Sequence, residues 1–307
     1  MRLDGNAPLP ASVSGGVVAL GNFDGFHLGH QAVVGRAIAT AKERGVPALV
    51  ATFDPHPVRF FQPDAPPFRL TTLDQRERLF AEAGADAMIV FPFNTALAAL
   101  TATEFAEQKL AGLSGVVTGE DFTFGNKKSG NVAVLAELGA QLGFSAEAVG
   151  PVSDSEGPIS SSRIREALIA GDCATAARLL TRPFAIEGIV QHGDKLGRTI
   201  GFPTANIAIG SYLRPRYGIY AVRGRLADGR VLNGAANIGI RPQFDPPKEL
   251  LEPYFFDFSE DLYDQPLEVE FHAFLRGEEI FDSLDALTEQ MAKDCEMARG
   301  ILQDADR

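Results

Sequence analysis

Short apolar runs alternate with segments of helical periodicity between Gly15 and about Arg182, and this alternation limits the fold more than any other feature. The candidate strands are Val17–Gly21, Pro47–Phe53, Ala87–Phe91, Gly115–Thr118 and Phe144–Val149. The candidate helices are Gln31–Arg44, Leu73–Ala83, Ala102–Leu113 and Val132–Leu142, with one or two short helices in Glu166–Leu180. The alternation predicts an α/β fold in which a parallel sheet carries helices on both faces.

Consecutive strands of period two replace the alternation after Arg182–Pro183. These strands are Phe184–Gln191, Gly218–Leu226, Val231–Ile238, Leu251–Phe258 and Leu267–Leu275. They predict an antiparallel β-barrel or sandwich. A terminal helix follows, and we expect its apolar stripe to pack on the barrel; the stripe is Leu284, Leu287, Met291, Cys295 and Ala298. We therefore predict two domains, residues 1–182 and 183–307.

The composition of the chain limits the classes of partner and the cellular compartment that we expect. A net charge of -12 argues against a general binder of nucleic acid or anionic membranes, because lysine and arginine carry that affinity. The two cysteines, Cys173 and Cys295, lie far apart, which favours a reducing cytoplasm over a disulfide framework. Met1–Ser14 has no apolar core typical of a signal peptide. The oligomeric state stays open, and a weak homo-oligomer is compatible with the sequence.

A first candidate site follows the first strand, at Gly21–His30. A turn here runs into a helix, so backbone N–H groups and the positive end of a helix dipole favour phosphate at this point. His27 and His30 are three residues apart and share a helical face, so both can reach one anion. The alternative is a loop with two exposed histidines. The candidate binding residues of this turn are Gly21, Asn22, Phe23, Asp24 and Gly29.

Three further candidate stretches follow later in the first half. Prolines in Thr52–Pro57 stiffen a turn that orients His56, although the stretch also suits a rigid structural loop. Gly119–Gly130 contains Asp121 among glycines, aromatic residues and lysines, which suits a nucleotide or a solvated charged loop. Ile159–Glu166 suits a phosphate contact or an ordinary helix cap with surface arginines; its candidates are Ser160, Ser161, Ser162 and Arg165.

The second half has its own candidate phosphate loop in Gly193–Asn206. Thr204 and Asn206 are two apart on extended chain and therefore point the same way. Two oxygen ligands on one side suit Mg²⁺, which prefers hard donors and shares them with substrate phosphates. A glycine-rich hairpin is the alternative. The other candidate residues of this loop are Gly197, Arg198, Gly201 and Pro203.

Taken in order, these motifs resemble the prokaryotic bifunctional riboflavin kinase/FAD synthetases. The similarity rests on Gly21–His30, Phe53–Pro57, Gly119–Gly125, Ile159–Arg165, Gly197–Asn206, Asn237–Pro242, and Glu252 ahead of Asp257–Phe258. It covers about Gly15 to Ala298, which is nearly the whole chain. It implies a Rossmann-like nucleotidyltransferase domain followed by a β-barrel riboflavin kinase domain.

The resemblance implies two ATP-dependent reactions. The C-terminal domain would phosphorylate riboflavin to FMN, with Glu252 as general base and Thr204 and Asn206 holding Mg²⁺; Glu249 is a competitor for the base. The N-terminal domain would join FMN to the AMP part of ATP, giving FAD and pyrophosphate. The transferring phosphate would be stabilised by Mg²⁺, His27, His30, Arg165 and the serines of 160–162, while Asn22 and Asp24 shape the turn or contact substrate.

The chain departs from the family pattern at three positions. Ser162 stands where a threonine is usual and keeps the hydroxyl, whereas Gln243 replaces a threonine and Ile280 a lysine. The last two changes are expected to weaken flavin or nucleotide binding in the kinase half. Two other functions stay open: a single-activity adenylyltransferase for another phosphate ester with a non-catalytic β domain, and a flavin-binding sensor without turnover.

Overall fold

The computed structural model describes residues 1–192, 202–241 and 248–304. They form two compact units, the first made of residues 1–66 and 72–160, and the second of 67–71 and 161–304. The expected division of the enzymatic domains at Arg182–Pro183 stays a prediction. Among the described helices, none combines the length and the apolar character needed to cross a membrane.

The first unit is built on a six-stranded parallel sheet, which confirms the α/β prediction. Its strands, in the spatial order β1-β4-β3-β2-β5-β6, are β1 Arg2–Asp4, β4 Ala87–Pro92, β3 Ala48–Asp54, β2 Val17–Leu20, β5 Gly115–Gly119 and β6 Ser145–Val149. Strand β2 is buried along its whole length, as expected for an apolar run with sheet neighbours on both sides. A short hairpin, β7 Ser153–Asp154 and β8 Gly157–Pro158, follows the sheet.

Helices separate these strands, and two hydrophobic cores contain residues of the same sheet. The helices are α1 Leu28–Arg44, α2 Pro57–Phe61, α3 Leu73–Glu82, α4 Thr95–Ala99, α5 Ala102–Phe105, a π-helical turn Ala106–Leu110, a 3₁₀ turn Asn126–Lys128 and α6 Val132–Leu142. Helix α1 begins three residues before the predicted Gln31, because the side chain of His27 caps it. The single helix predicted over Ala102–Leu113 is instead a short α-helix that passes into a π turn.

The second unit is a six-stranded antiparallel sheet in the order β10-β13-β12-β11-β14-β9. A bridge between Gln191 and Asn206 joins its two ends, so the sheet forms the nearly closed barrel that was predicted. The elements are α7 Ser161–Ala170, α8 Cys173–Leu180, β9 Phe184–Ile189, β10 Ile207–Ala208, β11 Gly218–Leu226, β12 Val231–Arg241, β13 Lys248–Phe255, β14 Pro266–Arg276 and α9 Leu284–Asp304. Strand β13 lies three residues earlier than predicted, at both ends.

Helix α9 packs on the barrel through its second half. Ala298 and Leu302 are fully buried in a cluster with Ala221 and Ala235, and Cys295 is partly buried beside them. The predicted stripe is therefore wrong at its beginning, since Leu284 is exposed. Burial raises the pKa of the Cys295 thiol to about 11, which agrees with a packing role.

A buried ion pair attaches α9 to strand β14. Asp294 is 3% exposed, and its carboxylate accepts hydrogen bonds from Arg276 at 2.7–3.1 Å and from Gln290 at 2.9 Å. An apolar stripe does not reveal this residue, because an aspartate on a helix is usually solvated. The pair stabilises the helix only while both partners are present.

Asp294→Asn is expected to destabilise the protein by about 3 kcal/mol, because removing one partner of a buried ion pair leaves the other charge uncompensated. Urea unfolding measures the effect. Glu296→Gln on the same helix is the matched control, since Glu296 is exposed and a surface change of this kind costs about 0.5 kcal/mol or less. Equal unfolding midpoints for the two variants would contradict a stabilising role for the pair.

Candidate active sites

The Gly21–His30 turn follows strand β2, where the order of the strands reverses. Strand β2 pairs with β3 on one side and with β5 on the other. The chain runs through β3 and β4 in one direction and then crosses back to β5 and β6. Because ligands of open α/β sheets bind beyond the carboxyl ends of strands at such a switch point, this is the expected position for a nucleotide site.

Two buried phenylalanines hold the backbone of this turn in place. Phe23 and Phe26 are 2% and 4% exposed, and both rings contact Phe80 of α3 edge-on, with centroids 5.9 and 5.1 Å away. Their φ angles are +51° and +47°, a left-handed conformation that side chains disfavour. Packing against Phe80 offsets that cost. The Phe23 ring is therefore a core group, and a ligand would meet this residue through its backbone.

The two histidines form a stacked pair at the beginning of α1. The Nδ1 atom of His27 accepts hydrogen bonds from the backbone N–H groups of Gly29 at 3.1 Å and His30 at 3.4 Å. The His30 ring lies 3.6 Å from the His27 ring between centroids, at an angle of 21°. Because Nδ1 accepts, the neutral His27 ring carries its proton on Nε2, where it is a hydrogen-bond donor. His27 thus has a ring N–H donor beside the N-terminus of α1, with the His30 ring stacked on it.

Gly29 leaves little space for a side chain between the histidines. A Cβ atom at this position would lie 3.1 Å from His27 Cε1 and 3.4 Å from the carbonyl oxygen of Ile159. The same contact brings the beginning of the Ile159–Glu166 motif, with Ser160 next in the chain, beside the histidine turn. This close approach could not be read from the spacing of the two motifs, which are 130 residues apart.

Arg76 is a buried residue of this site that the sequence interpretation missed. It is 3% exposed, and its NH1 donates to the backbone carbonyl of Asn22 at 3.1 Å and to Thr52 Oγ1 at 2.8 Å. The Thr52 hydroxyl also donates to the Asn22 carbonyl, at 2.8 Å. The only sequence signal was its position four residues before Phe80, which places both side chains on one face of α3.

Arg76→Met is expected to lower kcat/KM of the reaction at the histidine site by about tenfold or more, since the Asn22 carbonyl loses a donor and the turn shifts. Activity of the second unit should not change. Arg78→Met is the matched control, because Arg78 lies two residues away on α3 and is exposed. The same activity loss in both variants would argue against a positioning role for Arg76.

The remaining predicted residues of the first half have local roles in the structure. His56 caps α2, with Nδ1 accepting from the Val58 N–H at 3.2 Å. Asp121 is exposed in the loop after β5, and Asp24 is buried. Arg165 lies on α7 in the second unit, where its Nε donates to the Phe68 carbonyl at 2.9 Å. Ser161 and Ser162 begin the same helix, and their contacts with a nucleotide stay predictions.

Strand pairing in the second unit assembles the predicted kinase residues. Ile207 lies opposite Leu251, and the Ala205 N–H donates to the Pro253 carbonyl at 2.9 Å, so Asn206 lies beside Glu252. Residues in one cross-strand row face the same side of a sheet. Thr204 is two residues earlier, and on extended chain its side chain would point the same way as that of Asn206. The metal-binding role of this pair and the catalytic role of Glu252 stay predictions. Pro203 is exposed next to them.

Glu249, the competing base, is already engaged. Arg214 donates to its carboxylate from Nε at 2.8 Å and from NH2 at 2.6 Å, and the Tyr217 hydroxyl donates to it as well. The Arg214 guanidinium lowers the pKa of the Glu249 carboxyl, and burial together with this carboxylate raises the pKa of Tyr217 to about 12. A carboxylate stabilised in this way is a weak proton acceptor, which favours Glu252 as the base.

Several predicted residues of this half lie outside the described ranges: Gly197, Arg198, Gly201 and Gln243. Ile280 is described and is 99% exposed.

Comparisons with known proteins match each half of the chain to a protein family. The FAD synthetase family model matches residues 9–163, and the riboflavin kinase family model matches residues 180–302. The bifunctional riboflavin kinase/FMN adenylyltransferase of Haemophilus influenzae is 40% identical over 94% of this chain and 95% of its own length. The chain belongs to the bifunctional riboflavin kinase/FMN adenylyltransferase family. The family member of Bacillus subtilis is also 40% identical, over 91% of this chain and 90% of its own length, so the similarity spans both units.

A solved structure agrees with this family fold over both units. The crystal structure described as a macrolide-efflux protein from Streptococcus pneumoniae is 33% identical, with a TM-score of 0.84, and the match covers 93% of this chain and 94% of that one. The riboflavin kinase/FMN adenylyltransferases are transferases that use ATP, and their FAD synthetase domain precedes the riboflavin kinase domain, as the motif order predicted.

Proposed function

We propose that the second unit transfers the γ-phosphoryl group of ATP to the 5′-hydroxyl of riboflavin, with Glu252 as general base. The observation that carries this assignment is the cross-strand position of Asn206 beside Glu252. A neutral alcohol is a poor nucleophile, and a carboxylate that accepts its proton during attack accelerates phosphoryl transfer. Glu249, three residues earlier on β13, is committed to Arg214 and does not compete for this role.

Thr204 and Asn206 have the donor chemistry that Mg²⁺ requires. Both offer uncharged oxygen atoms on one face of extended chain, and Asn206 is only 9% exposed. Mg²⁺ takes few protein ligands and completes its octahedron with water and substrate phosphates. When bound, the ion neutralises charge on the ATP phosphates, while the protein residues orient the riboflavin hydroxyl and accept its proton.

For the first unit we propose adenylyl transfer from ATP to FMN at the His27–His30 pair. The phosphate of FMN is already an anionic nucleophile, so the protein needs no base and acts by positioning the reactants. The Nε2–H of His27, which the cap at Nδ1 orients, and the N-terminal N–H groups of α1 stabilise negative charge on the transferring phosphate.

Product analysis from riboflavin, ATP and Mg²⁺ tests both assignments together. We expect FMN to form first and FAD to follow with release of pyrophosphate. A single-activity adenylyltransferase for another phosphate ester would leave riboflavin unchanged and form no FMN. A flavin sensor would bind riboflavin or FMN and release no product, and either of these results would contradict the bifunctional assignment.

A further inference from the structure

Asn237 of strand β12 lies directly opposite Glu252 of strand β13. Directly paired residues of antiparallel strands face the same side of the sheet, with Cβ atoms about 5 Å apart. The Oδ1 atom of Asn237 is buried, and within the described part of the chain no group donates a hydrogen bond to it. A buried acceptor without a donor is costly, by about 1–3 kcal/mol for an ordinary polar group. The site therefore holds an acceptor that a ligand can satisfy.

The other end of the same amide is held by Glu278. The Nδ2 atom of Asn237 donates to Glu278 Oε1 at 3.4 Å. Gly239, two residues further along β12, leaves room for that carboxylate, because a Cβ atom there would lie 2.2 Å from Oε1. Since the amide donor points to Glu278, the carbonyl oxygen must point away from it. Glu278 and Gly239 therefore set the direction in which Asn237 presents its acceptor.

The Asn237 carbonyl lies next to the Glu252 carboxylate, the proposed base, so a ligand with two adjacent hydroxyl groups matches the pair. The ribityl chain of riboflavin has this chemistry, because its terminal hydroxyl groups lie on neighbouring carbons. We propose that Asn237 Oδ1 accepts a hydrogen bond from the 4′-hydroxyl of riboflavin while Glu252 receives the proton of the 5′-hydroxyl. This inference rests on the proposed role of Glu252 as the base. Asn237 is then a substrate-binding residue that aligns the reacting hydroxyl.

Asn237→Ala and 4′-deoxyriboflavin together test the contact. We expect wild-type protein to bind and phosphorylate 4′-deoxyriboflavin about tenfold less well than riboflavin, because the Asn237 acceptor is left unmet. Asn237→Ala should remove this difference, since neither substrate then has the contact. Riboflavin affinity is measured by quenching of flavin fluorescence without ATP, and kinase activity by FMN formation.

Asn233→Ala is the matched control on the same strand. The Asn233 Oδ1 already accepts from Arg223 Nε at 3.1 Å, so this variant should keep the wild-type preference for riboflavin. Glu278→Ala should raise the KM for riboflavin, and Glu278→Gln, which keeps an acceptor for the amide, should restore it. Conversion of FMN to FAD reports the fold of the rest of the chain in every variant.

An Asn237→Ala variant that loses activity toward riboflavin and 4′-deoxyriboflavin by the same factor would overturn the proposal. Failure of the base assignment gives a different result. In that case Glu252→Gln stays fully active, while wild-type protein still prefers riboflavin to 4′-deoxyriboflavin. The fluorescence titration decides the Asn237 contact in that case too, since it needs no turnover.

Discussion

Glu252→Gln should lower the rate of FMN formation about 10²- to 10⁴-fold, the range that a positioned general base contributes. Glutamine keeps the shape of the side chain and its place beside Asn206, so the loss isolates the proton transfer. Conversion of FMN to FAD should continue at the wild-type rate, because the histidine pair belongs to a separate compact unit. Both rates are measured on one preparation by separating riboflavin, FMN and FAD.

Glu249→Gln is the matched control for this experiment. The replacement is the same and lies on the same strand. The Glu249 carboxylate that it removes is bound to Arg214 and Tyr217. We expect this variant to retain most of its kinase activity. If Glu249→Gln lost FMN formation and Glu252→Gln kept it, the roles of the two glutamates would be reversed.

His30→Ala should give the opposite phenotype, with FAD formation about 10²- to 10³-fold slower and FMN formation unchanged. The variant removes the second imidazole ring of the proposed site and also the stack that orients His27, since the two centroids are 3.6 Å apart. Because FMN brings its own anionic nucleophile, the expected loss appears in kcat and not as a shift of the pH optimum.

His192→Ala controls for the removal of a histidine. His192 is exposed and stacks on Tyr263 in the second unit, with centroids 3.9 Å apart, and has no part in the proposed chemistry. Both activities should persist in this variant. A parallel loss of both activities in His30→Ala would contradict two independent sites.

Hydrophobic periodicity was sufficient to predict the α/β sheet and an antiparallel β domain, because long buried strands leave a strong pattern. The choice of a barrel over a sandwich came from the family resemblance. It missed β1 and β10, which have three and two residues and depend on neighbours far along the chain. It also placed Leu284, the first residue of α9, in the packed stripe, although this side chain is exposed. Local sequence does not show which part of a helix lies over a sheet.

Some features of the candidate sites could be predicted from the sequence, and others could not. Spacing alone places His27 and His30 together. It does not show that the His27 ring caps the helix or that the His30 ring stacks on it. The pairing of Asn237 with Glu252 depends on register between strands, which follows from long-range hydrogen bonds. Arg76 was missed because its one sequence signal, a position four residues before Phe80, does not distinguish a buried cation from a solvated one.

The bridge that joins the two ends of the barrel has a consequence for measuring site occupancy. The Gln191 N–H donates to the carbonyl of Asn206 at 2.8 Å, while Asn206 lies beside Glu252 on the neighbouring strand. The same residue therefore belongs both to the seam of the barrel and to the proposed metal site. A bound metal–nucleotide that immobilises Asn206 also protects this seam, so slower hydrogen–deuterium exchange of the Gln191 amide is a direct reporter of occupancy.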